Sequence, residues 1–503
     1  MKYLTVSLLS ATLGLGAACA QPVDRGGTLQ LAVDQSPVGL DPHLATAFST
    51  FAITGQVYEG LLEVDAKLKL RPLLASKHIK SDDGLTYTFT LRQGVKFHNG
   101  NPLTAEDVVY TMDRIKDPKL ASPLASRLSA VKDIRASGPN EVTFVLSKPF
   151  APFLSEVATI GIVDKEYVSG GGDLQRKAVG TGPFRLQEWV PDTYVQLEKN
   201  PSYWVKNQPY LDALKYNIVP DASTRQLGLQ SGTYHFLPTI DASLAVNLKN
   251  TPSVQLLKSQ DLAYNLLGMN TTRKPFNDPR VREALNYAVN RPELVEAVYF
   301  GDAVPAGPIP AALNTLATPT SNFGCYSYNP ARARQLLRDA GYPNGVNFDL
   351  LTFSTIKTVA DTAQVLQAQL AKAGFNAKID VQEFGNFVQN WRNSNFDAFV
   401  SLNGGSVDPD GHLYRHLISG GSTNVFKYSD ATVDKLLEQG RTSSSSANRL
   451  RTYAQLQKIL ACRGPIAFLA HGTLYSAARQ NVKGFTPNPT RSLSSFKTTW
   501  LDQ

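Results

Sequence analysis

After residue 15 the chain has no apolar run of eighteen or more residues, so its mature part carries no segment able to span a bilayer as a helix. It also lacks any basic tract. Fifty Lys and Arg against 42 Asp and Glu give a net charge of +8, but these residues are scattered, as on a solvated surface rather than a nucleic-acid face. Catalytic signatures are missing too: there is no G-x-S-x-G elbow, no H-E-x-x-H and no G-x-x-x-x-G-K-[ST] loop. Gly180-Thr181-Gly182 lacks the third glycine of a phosphate loop and runs on into a proline and strands, so it reads as a tight turn. A hydrolase or nucleotide enzyme is thereby disfavoured. Cysteine is scarce, with three in 503 residues.

What remains is an ordinary globular composition, 42% hydrophobic and 18% charged, in a chain long enough for several domains. Lys2, the apolar Leu4 to Leu15 and Ala18-Cys19-Ala20 have the form of a secretory signal over residues 1–20. Two endings fit. The small-x-small site after Ala20 is complete, whereas a lipid-anchored Cys19 would favour leucine where Gly16 stands. Cleavage after Ala20 leaves Cys325 and Cys462, which are free to pair or to stay reduced.

The most informative stretch is Asp83 to Ile115. Tyr87-Thr88-Phe89-Thr90-Leu91 alternates as a half-buried strand, and Asn99-Gly100-Asn101-Pro102 is turn chemistry. Thr104 and Asp107 form a capping box ahead of Val108, Val109, Met112 and Ile115 at helical spacing. This strand, the GVKFHNGNPLTAEDVVYT loop and the capped helix resemble the signature of the family 5 extracellular solute-binding proteins, the dipeptide, oligopeptide and nickel receptors of ABC importers. Further likenesses run in order from Gly26 to near Leu501. They include Leu40-Asp41-Pro42, Tyr58-Glu59-Gly60-Leu61, VGTGPFRLQEWVPDTYVQLEKNPSYW from Val179, and GFTPNPT from Gly484.

The resemblance implies a two-lobed α/β periplasmic-binding-protein-like fold with an extra satellite subdomain on the first lobe. Residues 26–46, 179–270 and 482–503 would form lobe I, 47–178 the satellite and 271–481 lobe II, with the hinge near Asn270. Independently, Phe348 to Phe353, Val359 to Ala373 and Ala377 to Val381 read as strand, helix and strand, an α/β crossover with a parallel pair. Ligands in such sheets lie beyond the carboxyl ends of the strands. The strand Phe396 to Leu402 therefore points Asn403-Gly404-Gly405-Ser406-Val407-Asp408 at the cleft.

Asp408, Asp410, His412 and His416 admit two readings, a metal-ligand set with histidines four apart or a pair of helix-capping carboxylates; capping is the better supported. Dipeptide receptors of the family commonly carry an aspartate for the ligand ammonium three residues before Asp-Pro-Asp, and here that residue is Gly405. His235 likewise stands where relatives place an acid. The expected ligand-binding residues are Asn403, Gly404, Gly405, Ser406, Asp408, Trp391, Asn270 and Tyr58, although Tyr58 and Glu59 also fit a packing role. The expected function is capture of a small peptide and its delivery to an ABC permease by an exported, monomeric protein. It would bind no nucleic acid, cofactor or metal; a sugar, metal chelate or other amine-lacking solute is the alternative, and a metal-binding protein through the Asp408 to His416 cluster a less favoured one.

Overall fold

In the computed structural model, residues 24–313 and 315–502 are described; the expected signal segment and Cys19 lie outside them. Three sequence-distant groups of apolar residues collapse into three main bodies. In the first, Leu29 and Leu31 of the strand Thr28–Val33 alternate inward and pack with Leu197, Leu214, Tyr216 and Phe236. That strand pairs in parallel with Ala213–Ile218 and with Phe236–Ile240. Phe485, Leu493, Phe496 and Leu501 from the chain's end close the same core.

The satellite is a four-stranded antiparallel sheet, ordered Ala75–Lys80, Thr86–Leu91, Glu141–Leu146, Val131–Gly138. Its core, from Leu61 to Ile162, joins Tyr87, Phe89 and Phe144 to the inward face of the helix Ala105–Lys116, where Val108, Met112 and Ile115 are buried. The Asp107 carboxylate accepts from the Thr104 amide at 2.8 Å, closing the capping box, and from the Lys165 amide at 2.9 Å. The flanking residues Ile53, Val57 and Tyr58, and Val163, Leu174 and Ala178, join the first core instead. Gly180 and Gly182 are needed there: a Cβ on either would lie 2.1 or 2.3 Å from the carbonyl oxygens of Val57 or Gln56. A buried Arg114–Asp41 pair at 2.5 Å, with His43 accepting from Arg114 at 2.7 Å, fastens the satellite helix to the turn after the first strand.

The other lobe carries the crossover. Val346–Phe353 and Phe375–Gln382 pair in parallel on either side of the helix Lys357–Ala371, and Ala398–Asn403 joins in parallel. Tyr264–Met269, buried on both faces, pairs antiparallel with Ala398–Asn403.

One 14-residue strand, Ile466–Arg479, belongs to both lobes. Its first residues pair with Asn265–Gly268, while Thr473–Arg479 pairs with Gln260–Val254. Core membership changes at the same level: Leu266, Leu267 and Ile466–Ala470 pack with the second lobe, whereas Tyr475, Ala477 and Ala478 pack with the first. The two crossings are thus residues 260–264 and 470–473. Among the described residues no helix is long and apolar enough to cross a membrane.

Cys325 and Cys462 are joined in a disulfide that closes a sequence separation of 137 residues, tying a short 3-10 turn to the helix Ser446–Arg463. Because the cross-link restricts the unfolded chain, reduction should destabilise the protein by about 2–4 kcal/mol. Thermal melts with and without dithiothreitol test this; coincident melts would oppose it.

Candidate functional site

The site begins where the parallel strands of the second lobe end. Asn403, the last residue of its strand, donates from Nδ2 to Tyr264 Oη at 2.8 Å. Asn403 Nδ2 also lies 3.3 Å from His416 Nε2, and Arg415 Nε donates to the same nitrogen at 3.2 Å. Two obligate donors make Nε2 the acceptor, so the His416 proton sits on Nδ1, facing Thr423 Oγ1 at 2.9 Å. His412 Nε2 lies 2.7 Å from the Ser406 carbonyl and 3.1 Å from its amide, which holds the loop onto the helix Pro409–Leu417.

The crossing at Leu262 touches this loop, and the other crossing is tied to it. His471, on the shared strand, donates from Nδ1 to the Ala263 carbonyl at 3.0 Å, joining one crossing to the other. A Cβ at Gly405 would sit 2.1 Å from Leu262 Cβ, so glycine is required for the loop to close on the crossing. Asp261, beside Leu262, pairs with Arg491 at 2.7 Å, and the Arg491 guanidinium lies 4.4 Å above the Phe48 ring. Phe48 and Phe51, three apart on the helix Phe48–Val57, are exposed and meet edge to face at 6.5 Å. On the second lobe, Ile356 and Phe384 are exposed just past the carboxyl ends of Val346–Phe353 and Phe375–Gln382. Phe48 is thus linked through Arg491 to the crossing on which the 403–408 loop rests, while Ile356 and Phe384 lie at the carboxyl edge of the second lobe's sheet.

The acidic pair after the loop is engaged by arginines. Asp408 caps its helix through the Asp410 amide at 2.9 Å and accepts from Arg449 at 2.7 and 3.0 Å. Asp410 receives a two-pronged Arg441 at 2.9 and 2.7 Å. Burial pushes the Asp410 carboxyl upward and Arg441 opposes it. Among the described residues no three His, Cys, Asp or Glu side chains are grouped to hold a metal ion. Arg441 also reaches the satellite: its guanidinium lies 5.2 Å from the Phe150 ring, and its carbonyl accepts the Ala151 amide at 2.8 Å.

Of the residues expected to bind ligand, Asn403, Gly404, Gly405, Ser406 and Asp408 come together in this loop. Three others lie elsewhere. In the ladder Tyr264 opposes Asn403 and Met269 opposes Ala398, so Asn270 sits at the far end, roughly 20 Å away for six residues of strand. There it donates to the Ser394 carbonyl at 3.0 Å, and Trp391 packs half-buried on the core nearby in sequence. Tyr58 is buried in the first core, with Gly161 packed against it. Glu59 is buried as well, accepting from Thr181, Tyr203 and Trp204 at 2.9, 2.7 and 2.9 Å, and burial raises its pKa. His235 accepts the Gln30 amide at 3.1 Å. Phe48, Phe51, Leu262, Arg415 and Arg491 were not among the expected residues; the one legible signal was a pair of phenylalanines three apart on a helix.

Burial lowers the pKa of His416 and His471 from 6.5 to about 4 and that of His412 to about 3, and it also holds His43 and His98 near 4. Above pH 6.5 these rings are neutral whether folded or not. As the pH falls from 6.5 toward 4, the unfolded chain takes up protons that the folded one refuses, so stability should drop by on the order of 1.4 kcal/mol per pH unit per histidine. Urea titrations across that window check the slope; a flat profile would contradict it. Gly405→Ala should cost on the order of 1–3 kcal/mol by forcing the loop off Leu262. The same titrations at neutral pH read that loss, and a wild-type midpoint would show that the contact is slack.

Comparison with known proteins agrees with the fold. Residues 69–424 match the bacterial extracellular solute-binding proteins, family 5 Middle. The glutathione-binding protein GsiB of Escherichia coli (strain K12) is 31% identical over 487 residues, covering 92% of this chain and 93% of that protein. The structure of the periplasmic binding protein DppA from Helicobacter pylori with the peptide STSA superposes with a TM-score of 0.80 at 29% identity, covering 95% of this chain and 99% of DppA. AgaA from A. tumefaciens R10 in complex with agropinic acid superposes at 0.78 with 28% identity, covering 95% and 99%. The chain belongs to the family 5 bacterial extracellular solute-binding proteins.

Proposed function

We propose that this receptor captures a small peptide between its two lobes and hands it to an ABC permease at the outer face of the membrane. The observation that carries the reading is the floor formed where the 403–408 loop, at the carboxyl end of the second lobe's strands, packs on the crossing at Leu262, with exposed aromatic groups on both lobes. Such a floor suits an extended solute held through its backbone amides and carbonyls, with loose side-chain selection. GsiB and DppA, named for glutathione and solved with a peptide respectively, support a peptide ligand. Export to the periplasm or cell surface, action as a monomer and the absence of catalysis are parts of the same proposal. AgaA, solved with agropinic acid, keeps a non-peptide solute as the second reading. Gly405 favours that reading, since the usual partner for a peptide ammonium is missing there.

Native mass spectrometry of freshly purified protein tests the ligand class: co-purified short peptides are expected, and a single sugar or metal chelate would overturn the peptide reading. Saturating ligand should contract the radius of gyration in solution scattering and raise the melting temperature by mass action. An unchanged radius at proven saturation would overturn lobe closure.

A further inference from the structure

The carboxylates around the loop are already matched to guanidinium groups: Asp408 to Arg449, Asp410 to Arg441 and Asp261 to Arg491, each at 2.7 Å. Arg415 is different. It is exposed, and its one side-chain hydrogen bond runs from Nε to His416 Nε2, so its two terminal amino groups bind no carboxylate among the described residues. His416 is in turn fixed by Asn403 and Thr423, and Asn403 by Tyr264, so the Arg415 stem is anchored beside the last residue of the strand that ends at the site. The charge is felt there: the Tyr264 phenol and the His412 imidazole both register Arg415. Neither ring can answer it with negative charge. His412 and His416 remain neutral through burial, and Tyr264 is pushed up to about 12.

Gly405 adds the complementary observation. No carboxylate stands at that position, and none fits without displacing Leu262. The helix after the loop therefore sets an Arg415 guanidinium without a carboxylate partner beside Asn403, while position 405 offers no anion, the reverse of what a ligand ammonium requires. A planar guanidinium with two free amino groups matches the two oxygens of a carboxylate.

We propose that Arg415 determines specificity by binding a carboxylate of the solute beside Asn403, and that the site selects acids over amines. This rests on the proposed capture of a solute at the 403–408 loop, and it sets both the ligand's charge and the direction in which it lies. A peptide would place its carboxyl end, not its ammonium, at this loop.

Defined probes of opposite charge suffice for the test. Tripeptide mixtures are prepared in two blocked forms, N-acetylated with a free carboxylate and C-amidated with a free amine. Gluconate and glucose serve as an acid and neutral pair outside the peptide class. Binding to the full mature chain is read by calorimetry for wild type, Arg415→Gln and Arg415→Lys. The acetylated acids should bind roughly 10- to 100-fold tighter than the amides, and Arg415→Gln should erase that difference, with Arg415→Lys intermediate. Thermal melts of the variants separate lost binding from lost folding. Binding of gluconate but not of tripeptides, lost in Arg415→Gln, would overturn the peptide reading and uphold the acid preference. Amides binding as well as acids, glucose as well as gluconate, a full acid preference in Arg415→Gln, or no acid binding from either set would overturn the proposal.

Discussion

Two bodies that must close on a solute can be joined only through backbone, and here the strand Ile466–Arg479 sets the terms. Its backbone passes without a break from the second lobe to the first, pairing with Asn265–Gly268 before the crossing and with Val254–Gln260 after it. On either side of the crossing the paired segments resist sliding, because their hydrogen bonds would have to break together. Rotation is cheaper where pairing is irregular, and the register with Tyr264–Met269 shifts between Asn265 and Leu266, just beyond the crossing. His471, clasping the Ala263 carbonyl, lies at the same level. The loop that carries Asn403 and Gly405 packs onto this place, so the candidate site and the irregular pairing share one small volume.

Buried ion pairs distribute the constraint outward. A carboxylate taken out of water needs a partner, and Asp41, Asp408 and Asp410 each have an arginine from a distant part of the chain. Arg114 joins the satellite to the first lobe. Arg441 pairs within the second lobe and meets Phe150 and Ala151 of the satellite. The satellite is thus bound to one lobe by a buried charge and touches the other through a cation resting on a ring.

Much of this was legible without coordinates. The strand and capped helix around Thr104, the crossover between Val346 and Gln382, and the capping by Asp408 follow from local period and cap chemistry, which depend on neighbours in sequence. The site was half legible. The candidate residues after Ala398–Asn403 sit together at one end of the sheet, but Tyr264–Met269 runs antiparallel to that strand, so Asn270 at its carboxyl end lies on the opposite edge. Pattern alone shows a strand, not its direction in the sheet. The lobe boundary was hidden for a related reason: Tyr264–Met269 is buried on both faces, and such a run carries no mark of which core it joins. Arg415 and Phe48 gave little signal because exposed residues obey no burial period.

The contact between Gly405 and Leu262 has a bearing on how such receptors diversify. A specificity loop on an open rim could exchange side chains one at a time, each tried on its own merits. Here the residue that would carry a new charge backs onto the segment joining the lobes, so an acid at 405 demands a smaller or displaced residue at 262. Such a double change alters the segment joining the lobes as well as the candidate loop. On the proposed reading, substrate choice and the ease of opening are therefore coupled through this one contact.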